Sequence, residues 1–307
     1  MKFNKLTSAL MICAAIGVVS LPVSTAFAAP DAAKIAERKA RKSQAVGEKV
    51  GKAIGKAYEL YGANQIAEAI AILEPLEPTN AFDKAYLARF LGSLYVEKNP
   101  EKAIKYLKEA IKPDILSFTD QAAALRNLAD LSIMAKKYQD AIGYYNKWLD
   151  FTGELDPNVE MRIANCFYEM KQYNKVIAPA DRAIAHFKEP KKEPYIMKYA
   201  SYYELKQTKK VIEVLEEAVV IFPKEKTFWV QLGNFYSADE QFAKALAVID
   251  MAYKQGYLTT ENEIKLLANL YNNNNVPYKA AATLEKHMKS GLVKKDRAIL
   301  MSIASSY

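Results

Sequence analysis

The sequence predicts an all-α fold: a right-handed α-solenoid of about seven helix–turn–helix units. Three observations predict it. A small residue returns about every 35 residues, at Ala57, Gly92, Ala129, Ala164, Gly233 and Ala268. Tyr199 stands where the same register calls for another. A second series follows about twelve residues behind, at Ala69, Ala103, Ala141, Val176, Val211, Ala245 and Ala280. A third lies seven further on, at Leu76, Ala110, Trp148, Ala183, Ala218, Ala252 and His287. Three series in one register describe helix pairs that bury their apolar faces only by stacking.

Residues 1–28 read as a secretory signal. Lys2 and Lys5 precede an apolar run from Leu6 to about Val19, and Ala26-Phe27-Ala28 places small residues at −3 and −1 of a cut after Ala28. Residues 29–46 are Ala-rich and charged, and are expected to form a helix or linker leading into the first unit. Residues 47–294 are expected to hold the stack, the first unit ending near 83. Within the second unit Phe90, Leu91, Leu94 and Tyr95 share one face of helix A. Ala103, Ile104, Leu107, Ala110 and Ile111 do the same for helix B, at i, i+3, i+4 spacing. Gly92 and Ala103 are small where the paired backbones approach, so Tyr199 predicts a wider crossing in the fifth unit. Breakers or polar runs mark the turns: Asn99-Pro100, Lys136-Lys137, Lys171-Gln172 and Asn272 to Asn275. The spacing stretches near Asp114 to Thr119, which predicts a longer loop. Residues 295–307 have the spacing of another helix A with no helix B after it; either that helix alone caps the stack or the chain is a fragment of a longer repeat protein.

The sixth unit carries Trp229, Leu232, Gly233, Tyr236, Phe242, Ala245 and Ala252. This resembles the tetratricopeptide repeat, and the resemblance covers roughly residues 50–294. It implies a binding surface in which the A helices line the concave side. The second, fifth, ninth, twelfth and thirteenth places of each unit then face a groove. The groove candidates are Arg89, Arg126, Asp130, Asn165, Tyr168, Tyr203, Asn234, Lys265 and Asn269. Asn165, Asn234 and Asn269 share the ninth place, where an amide both donates to and accepts from a peptide backbone. Tyr168 and Tyr203 add rigid aromatic area. Lys265 and Asn269 resemble half of a carboxylate clamp, with Leu300 about where a further Asn would stand. The alternative is a polar superhelix face, with the partner on the convex side or at the ends.

The chain has 307 residues and a net charge of +8. Loss of residues 1–28 would remove two lysines and no acid, leaving 41 basic and 35 acidic residues, a net +6. Basic residues gather at Lys34, Arg38, Lys39, Arg41, Lys42, Lys49, Lys52 and Lys56, and again from Lys286 to Arg297. Two readings stay open: a solvated helix face, or contact with an anionic surface such as membrane phospholipid or an acidic partner. Nucleic acid is not expected as a partner. Past the signal the chain keeps one cysteine, Cys166, read as a small buried hydrophobe. The two histidines, His186 and His287, lie about a hundred residues apart, and neither has a second ligand nearby. There is no Gly-rich phosphate loop, nucleophile elbow or HExxH segment. A non-enzymatic protein without a cofactor is the expectation.

Several short strings carry a second resemblance: Arg38-Lys39-Ala40-Arg41, Val46-Gly47-Glu48-Lys49-Val50, Lys210 to Leu215, Trp229 to Gly233 and Val276 to Ala281. They are similar to exported proteobacterial tetratricopeptide proteins encoded beside TonB–ExbB–ExbD components. The resemblance implies a periplasmic scaffold accessory to TonB-dependent outer-membrane transport. Its partner would be a component of that system or an outer-membrane receptor. A scaffold for cell-wall or outer-membrane assembly is the alternative, and a binding domain of a longer enzyme a third.

Overall fold

The computed structural model describes residues 31–306, so the expected signal and its cut after Ala28 lie outside the described residues. Those residues form sixteen helices and no strand, arranged as an α-solenoid. A short helix α1 (Ala32–Ala40) comes first. Seven A–B pairs follow: α2 (Glu48–Gly62) with α3 (Ile66–Leu73), α4 (Ala81–Leu94) with α5 (Pro100–Ile111), and α6 (Phe118–Met134) with α7 (Tyr138–Thr152). Next come α8 (Pro157–Glu169) with α9 (Tyr173–His186), and α10 (Lys192–Glu204) with α11 (Thr208–Ile221). The last pairs are α12 (Lys226–Ala238) with α13 (Phe242–Lys254) and α14 (Glu261–Asn273) with α15 (Pro277–Lys289). α16 (Arg297–Ser305) packs on α15. No described helix is long and apolar enough to cross a membrane.

Local chemistry sets the helix ends. Asn80, Asn99, Ser117, Asp156 and Asp296 each accept a hydrogen bond from a backbone amide of their own first turn. Pro100, Pro157 and Pro277 open α5, α8 and α15, where the missing N–H costs nothing. Thr260 and Glu263 form a reciprocal capping box on α14. Within most pairs, the A–B turn is closed by one residue in the left-handed region: Asn64, Lys136, Lys171, Lys206, Glu240 and Asn275. The pair α4–α5 turns instead through Asn99 and Pro100. The stretched spacing after the second unit is the loop between α5 and α6, where Asp114 has φ +47°.

The small-residue register is a volume constraint. Ala57, Ala129 and Ala164 are fully buried, as is the whole second series from Ala69 to Ala280. A Cβ at Gly92 would stand 2.7 Å from Leu107 Cγ, and one at Gly233 would stand 2.3 Å from Ile249 Cγ1. Such approaches leave no room for a larger side chain. α10, which carries Tyr199, differs from the other A helices. α10 packs as closely on α9 as on its own partner α11, whereas the other A helices from α4 to α14 lie mainly on their own B helices. The Tyr199 ring turns toward the next unit and meets Phe228 edge-on at 6.5 Å.

Successive units are also pinned by a recurring bond from a tyrosine on or just past an A helix to a carboxylate on or just past the preceding B helix. Tyr95 donates to Glu74 at 2.9 Å, Tyr271 to Asp250 at 2.5 Å, and Tyr236 to Glu216. Burial, then the Glu216 carboxylate, pushes the Tyr236 phenol up to about 12, so it stays a donor at neutral pH.

α1, which precedes the first unit in the chain, docks on α6 and α7 of the third. Arg38 donates to the Asp150 carbonyl at 2.7 Å and lies 5.1 Å from the Phe151 ring centre. Arg41 donates to the Asp114 carbonyl at 2.7 Å and its carboxylate at 2.9 Å. Gly153, at φ +68°, admits Ile35 where a Cβ would clash at 2.3 Å. Two of the charges read as a surface for anionic partners thus hold the chain to itself.

Candidate peptide-binding groove

Residues from the middle to the C-terminal end of α10 and α12 frame an open slot of about 380 Å³. Tyr199, Ala200 and Tyr203 line it from α10; Gln231, Asn234, Phe235 and Ala238 line it from α12. The i, i+4 spacing on α10 and the i, i+3, i+4 and i+7 spacing on α12 put these residues on facing sides. Ala200 and Ala238 supply the space and the aromatic residues the walls. Tyr203 is 60% exposed and meets Phe235 edge-on at 5.8 Å. Burial raises the Tyr199 phenol, so its ring is an uncharged wall. Asn234 is exposed and makes no hydrogen bond to a described residue.

Two residues expected in the groove, Tyr203 and Asn234, thus come together. Asn165 on α8 and Asn269 on α14 likewise have no protein partner among the described residues, but each lies one unit or more away from the slot. Tyr168 packs edge-on against Tyr173 at 5.2 Å. Tyr199, Gln231 and Phe235 were missed. In the sequence Tyr199 reads only as a break in the small-residue register, and Phe235 sits beside Asn234 in a position that reads as core. The signal for them was the shared helical spacing with Tyr203 and Asn234.

The charged candidates are engaged within the protein. Arg89 pairs with Asp120 on the next A helix at 3.3 Å and lies over the Tyr86 ring at 5.1 Å. Arg126 reaches Asp156 at 3.1 Å, with Trp148 beneath its guanidinium at 5.4 Å. Asp130 accepts from Arg162 at 3.0 Å and from the Tyr145 hydroxyl. Burial, then Asp130, raises the Tyr145 phenol beyond its ordinary range. These side chains bridge adjacent A helices, so they fix the spacing of units rather than offering free charge. Lys265 is held by Glu261 of its own helix at 2.6 Å, which raises its ammonium pKa and leaves half a clamp already occupied.

The remaining reactive groups are structural too. Cys166 is fully buried, and burial pushes its thiol up to about 11. His186 Nδ1 lies 2.7 Å from the Arg182 carbonyl one turn back, and His287 Nε2 lies 2.9 Å from the Tyr253 hydroxyl. No group of three or more His, Cys, Asp or Glu among the described residues is placed to hold a metal ion.

No family model matches the chain. No curated protein matches it. Solved structures do. One chain of the Naa15/Naa10 complex bound to HypK-THB aligns with a TM-score of 0.59 at 14% identity, over 84% of this chain and 39% of that one. A tetratricopeptide repeat protein from Parabacteroides merdae aligns with a TM-score of 0.46 at 15% identity, over 85% and 99%. YrrB, a tetratricopeptide protein described as having an unusual peptide-binding site, gives 0.45 at 16% identity, over 65% and 97%. Likeness at such identity concerns the fold alone. The fold is an all-α solenoid of stacked helix pairs.

Proposed function

We propose that the chain is a protein-interaction scaffold whose A-helix groove holds an extended segment of a partner, anchored in the slot between α10 and α12. One observation carries this: an exposed Tyr203 ring and an unengaged Asn234 amide flank an open space with aromatic walls. A ring of this kind offers large area at low entropic cost, and the free amide satisfies a peptide backbone whatever its side chains. Asn165 and Asn269 extend the same chemistry along neighbouring units. The buried thiol and the internally bonded histidines support a binding role over catalysis.

The finer reading is a periplasmic accessory to TonB-dependent outer-membrane transport. What supports it is the sequence resemblance of the strings from Arg38 to Ala281, together with the signal-like residues 1–28. The partner would be a TonB–ExbB–ExbD component or an outer-membrane receptor. Photoreactive groups at Asn165, Tyr203 and Asn234, with crosslinking in periplasm and membranes, test both levels. Crosslinks from 203 and 234 to one of those proteins are expected. Crosslinks to cell-wall or barrel-assembly proteins would replace the transport role. Capture only from probes on the B helices would overturn the groove.

A further inference from the structure

A second opening, of different chemistry, lies between the B helices α5 and α7 and encloses about 720 Å³. That volume falls in the range of small-molecule sites, roughly 300–1,000 Å³. Its apolar surface comes from Ile111, Leu125, Tyr144 and Phe151. Four cations line it: Arg38, Lys108, Lys112 and Lys147. The two carboxylates that also line it are already bound, Asp150 to Arg38 at 3.3 Å and Asp114 to Arg41 at 2.9 Å. Lys112 and Lys147 join no ion pair with a described residue, and Lys108 reaches Asp140 only at 4.0 Å. Lys108 and Lys147 both stand over Tyr144, at 5.9 and 5.5 Å from the ring centre. The mouth therefore carries uncompensated positive charge.

Gln121 adds a second, independent feature. Gln121, at 4% exposure, lines the same opening. Its Nε2 donates to the Ile111 carbonyl at 3.0 Å, but its buried Oε1 has no partner. A buried acceptor left unpaired costs about 1–3 kcal/mol, which a ligand donor would recover. The docked α1 and the loop carrying Asp114 add to the lining from α5, α6 and α7, through Arg38 and Asp114. A lining drawn from three helices, a loop and a docked helix suits a compact ligand.

We propose that this opening binds a small amphiphilic anion. Its apolar body lies on Leu125 and Phe151, a hydrogen-bond donor meets Gln121 Oε1, and its anionic group sits among Lys108, Lys112 and Lys147. The site is separate from the α10–α12 slot and stands whether or not that slot binds peptide.

The test uses 1-anilinonaphthalene-8-sulfonate, an aryl anion with one N–H donor, titrated into the chain and followed by fluorescence. Its neutral analogue N-phenyl-1-naphthylamine, which lacks the sulfonate, is the control. Saturable binding at one site is expected, with the anion bound about tenfold tighter than the neutral analogue, consistent with one well-placed ionic contact. The exposed pair Lys108→Glu/Lys147→Glu should erase that preference, and Gln121→Leu should weaken both probes. Tyr203→Ala, in the other slot, should leave both unchanged. Circular dichroism confirms that each variant folds; should the double charge reversal unfold the chain, Lys147→Gln alone should still reduce the preference. Equal affinity for the two probes, or an anion affinity indifferent to Lys108 and Lys147, would overturn the assignment.

Discussion

The solenoid divides into two apolar blocks that treat their groove differently. The first runs from Val50 on α2 to Cys166 on α8, through clusters that share Ile111 and Tyr144 at their margins. The second runs from Tyr195 on α10 to Ile303 on α16. Between them α9 presents Val176, Ala180 and Ala183, all fully buried and all small. In the first block, mid-helix groove positions are closed by Arg89–Asp120, Arg126–Asp156 and Asp130–Arg162. In the second, the pairs that cross between A helices, Lys192–Glu225 and Lys226–Glu263, start at the first residue of α10 and of α12. The middle of that groove is left to Tyr199, Tyr203, Asn234 and Phe235. The difference teaches that one repeat pattern can stiffen a stack with internal charge pairs or leave the same positions unpaired around an open space.

The largest effect should come from filling a small-residue position. Gly233→Leu forces a side chain into Ile249, whose β-branched stem cannot swing aside, and should cost about 2–3 kcal/mol. Urea unfolding measures the total, and hydrogen exchange should locate it. Units separated by a small-residue junction are expected to open separately. Protection should fall across α10 to α16 and persist in α2 to α8. Uniform loss along the chain would mean that the blocks are one cooperative unit.

A smaller effect separates stiffening from binding. Asp130→Ala leaves the hydroxyl of the fully buried Tyr145 unpaired and frees Arg162. A loss of about 2 kcal/mol in stability is expected. Tyr203→Ala should cost little stability, because the ring is exposed, but should weaken the groove partner about tenfold or more. If Tyr203→Ala proved the more destabilising of the two, the assignment of roles to the blocks would be reversed.

Smaller again is the acid response of Glu263 in the second block. Burial raises its carboxyl pKa, but Lys226 and the amides of Thr259 and Thr260 outweigh that, so the net shift is downward from 4.5. The ionised form is therefore the one bound in the folded state. Its stabilisation is complete above pH 4.5 and is lost as pH falls through the depressed folded value. Glu263→Gln should cost about 1 kcal/mol at neutral pH and flatten the acid limb of the stability curve. An unchanged limb would show that the capping box and the bond to Lys226 add nothing beyond α14's own packing.

The register of small residues was legible because it is a local limit on volume: any side chain larger than hydrogen at 92 or 233 collides with a residue fixed by the same repeat. Tyr199 was legible as the break in that register. The charge pairs were not. Arg89 and Asp120 lie on different helices, and their pairing depends on how neighbouring A helices tilt, which the repeat length does not specify. The docking place of α1 was not legible, because a charged, Ala-rich helix carries no address. Its docking depends on Gly153, over a hundred residues away, having no Cβ against Ile35. Two residues of the aromatic slot were legible, Tyr203 and Asn234. The rest was hidden because an inward aromatic residue at helical spacing reads as core until the neighbouring helix is seen to stand off.

The turns offer the finest test of where the two blocks differ. Lys171 between α8 and α9 and Lys206 between α10 and α11 have φ +56° and +57°. Each donates its amide to the carbonyl three residues back at 2.9 Å, on Tyr168 and Tyr203 respectively. The backbone geometry is the same although one unit is regular and the other contains Tyr199. A non-glycine residue in this region costs about 1 kcal/mol, and glycine regains most of that while losing some to unfolded-state freedom. Lys171→Gly and Lys206→Gly should therefore each stabilise by about 0.5 kcal/mol, read as a shift in the urea midpoint. Equal gains would place the difference between the blocks wholly on the helix faces. A loss at 206 alone would mean that the fifth unit's turn is what holds α10 against α9, and the slot would then owe its opening to the turn and not to the Tyr199 side chain.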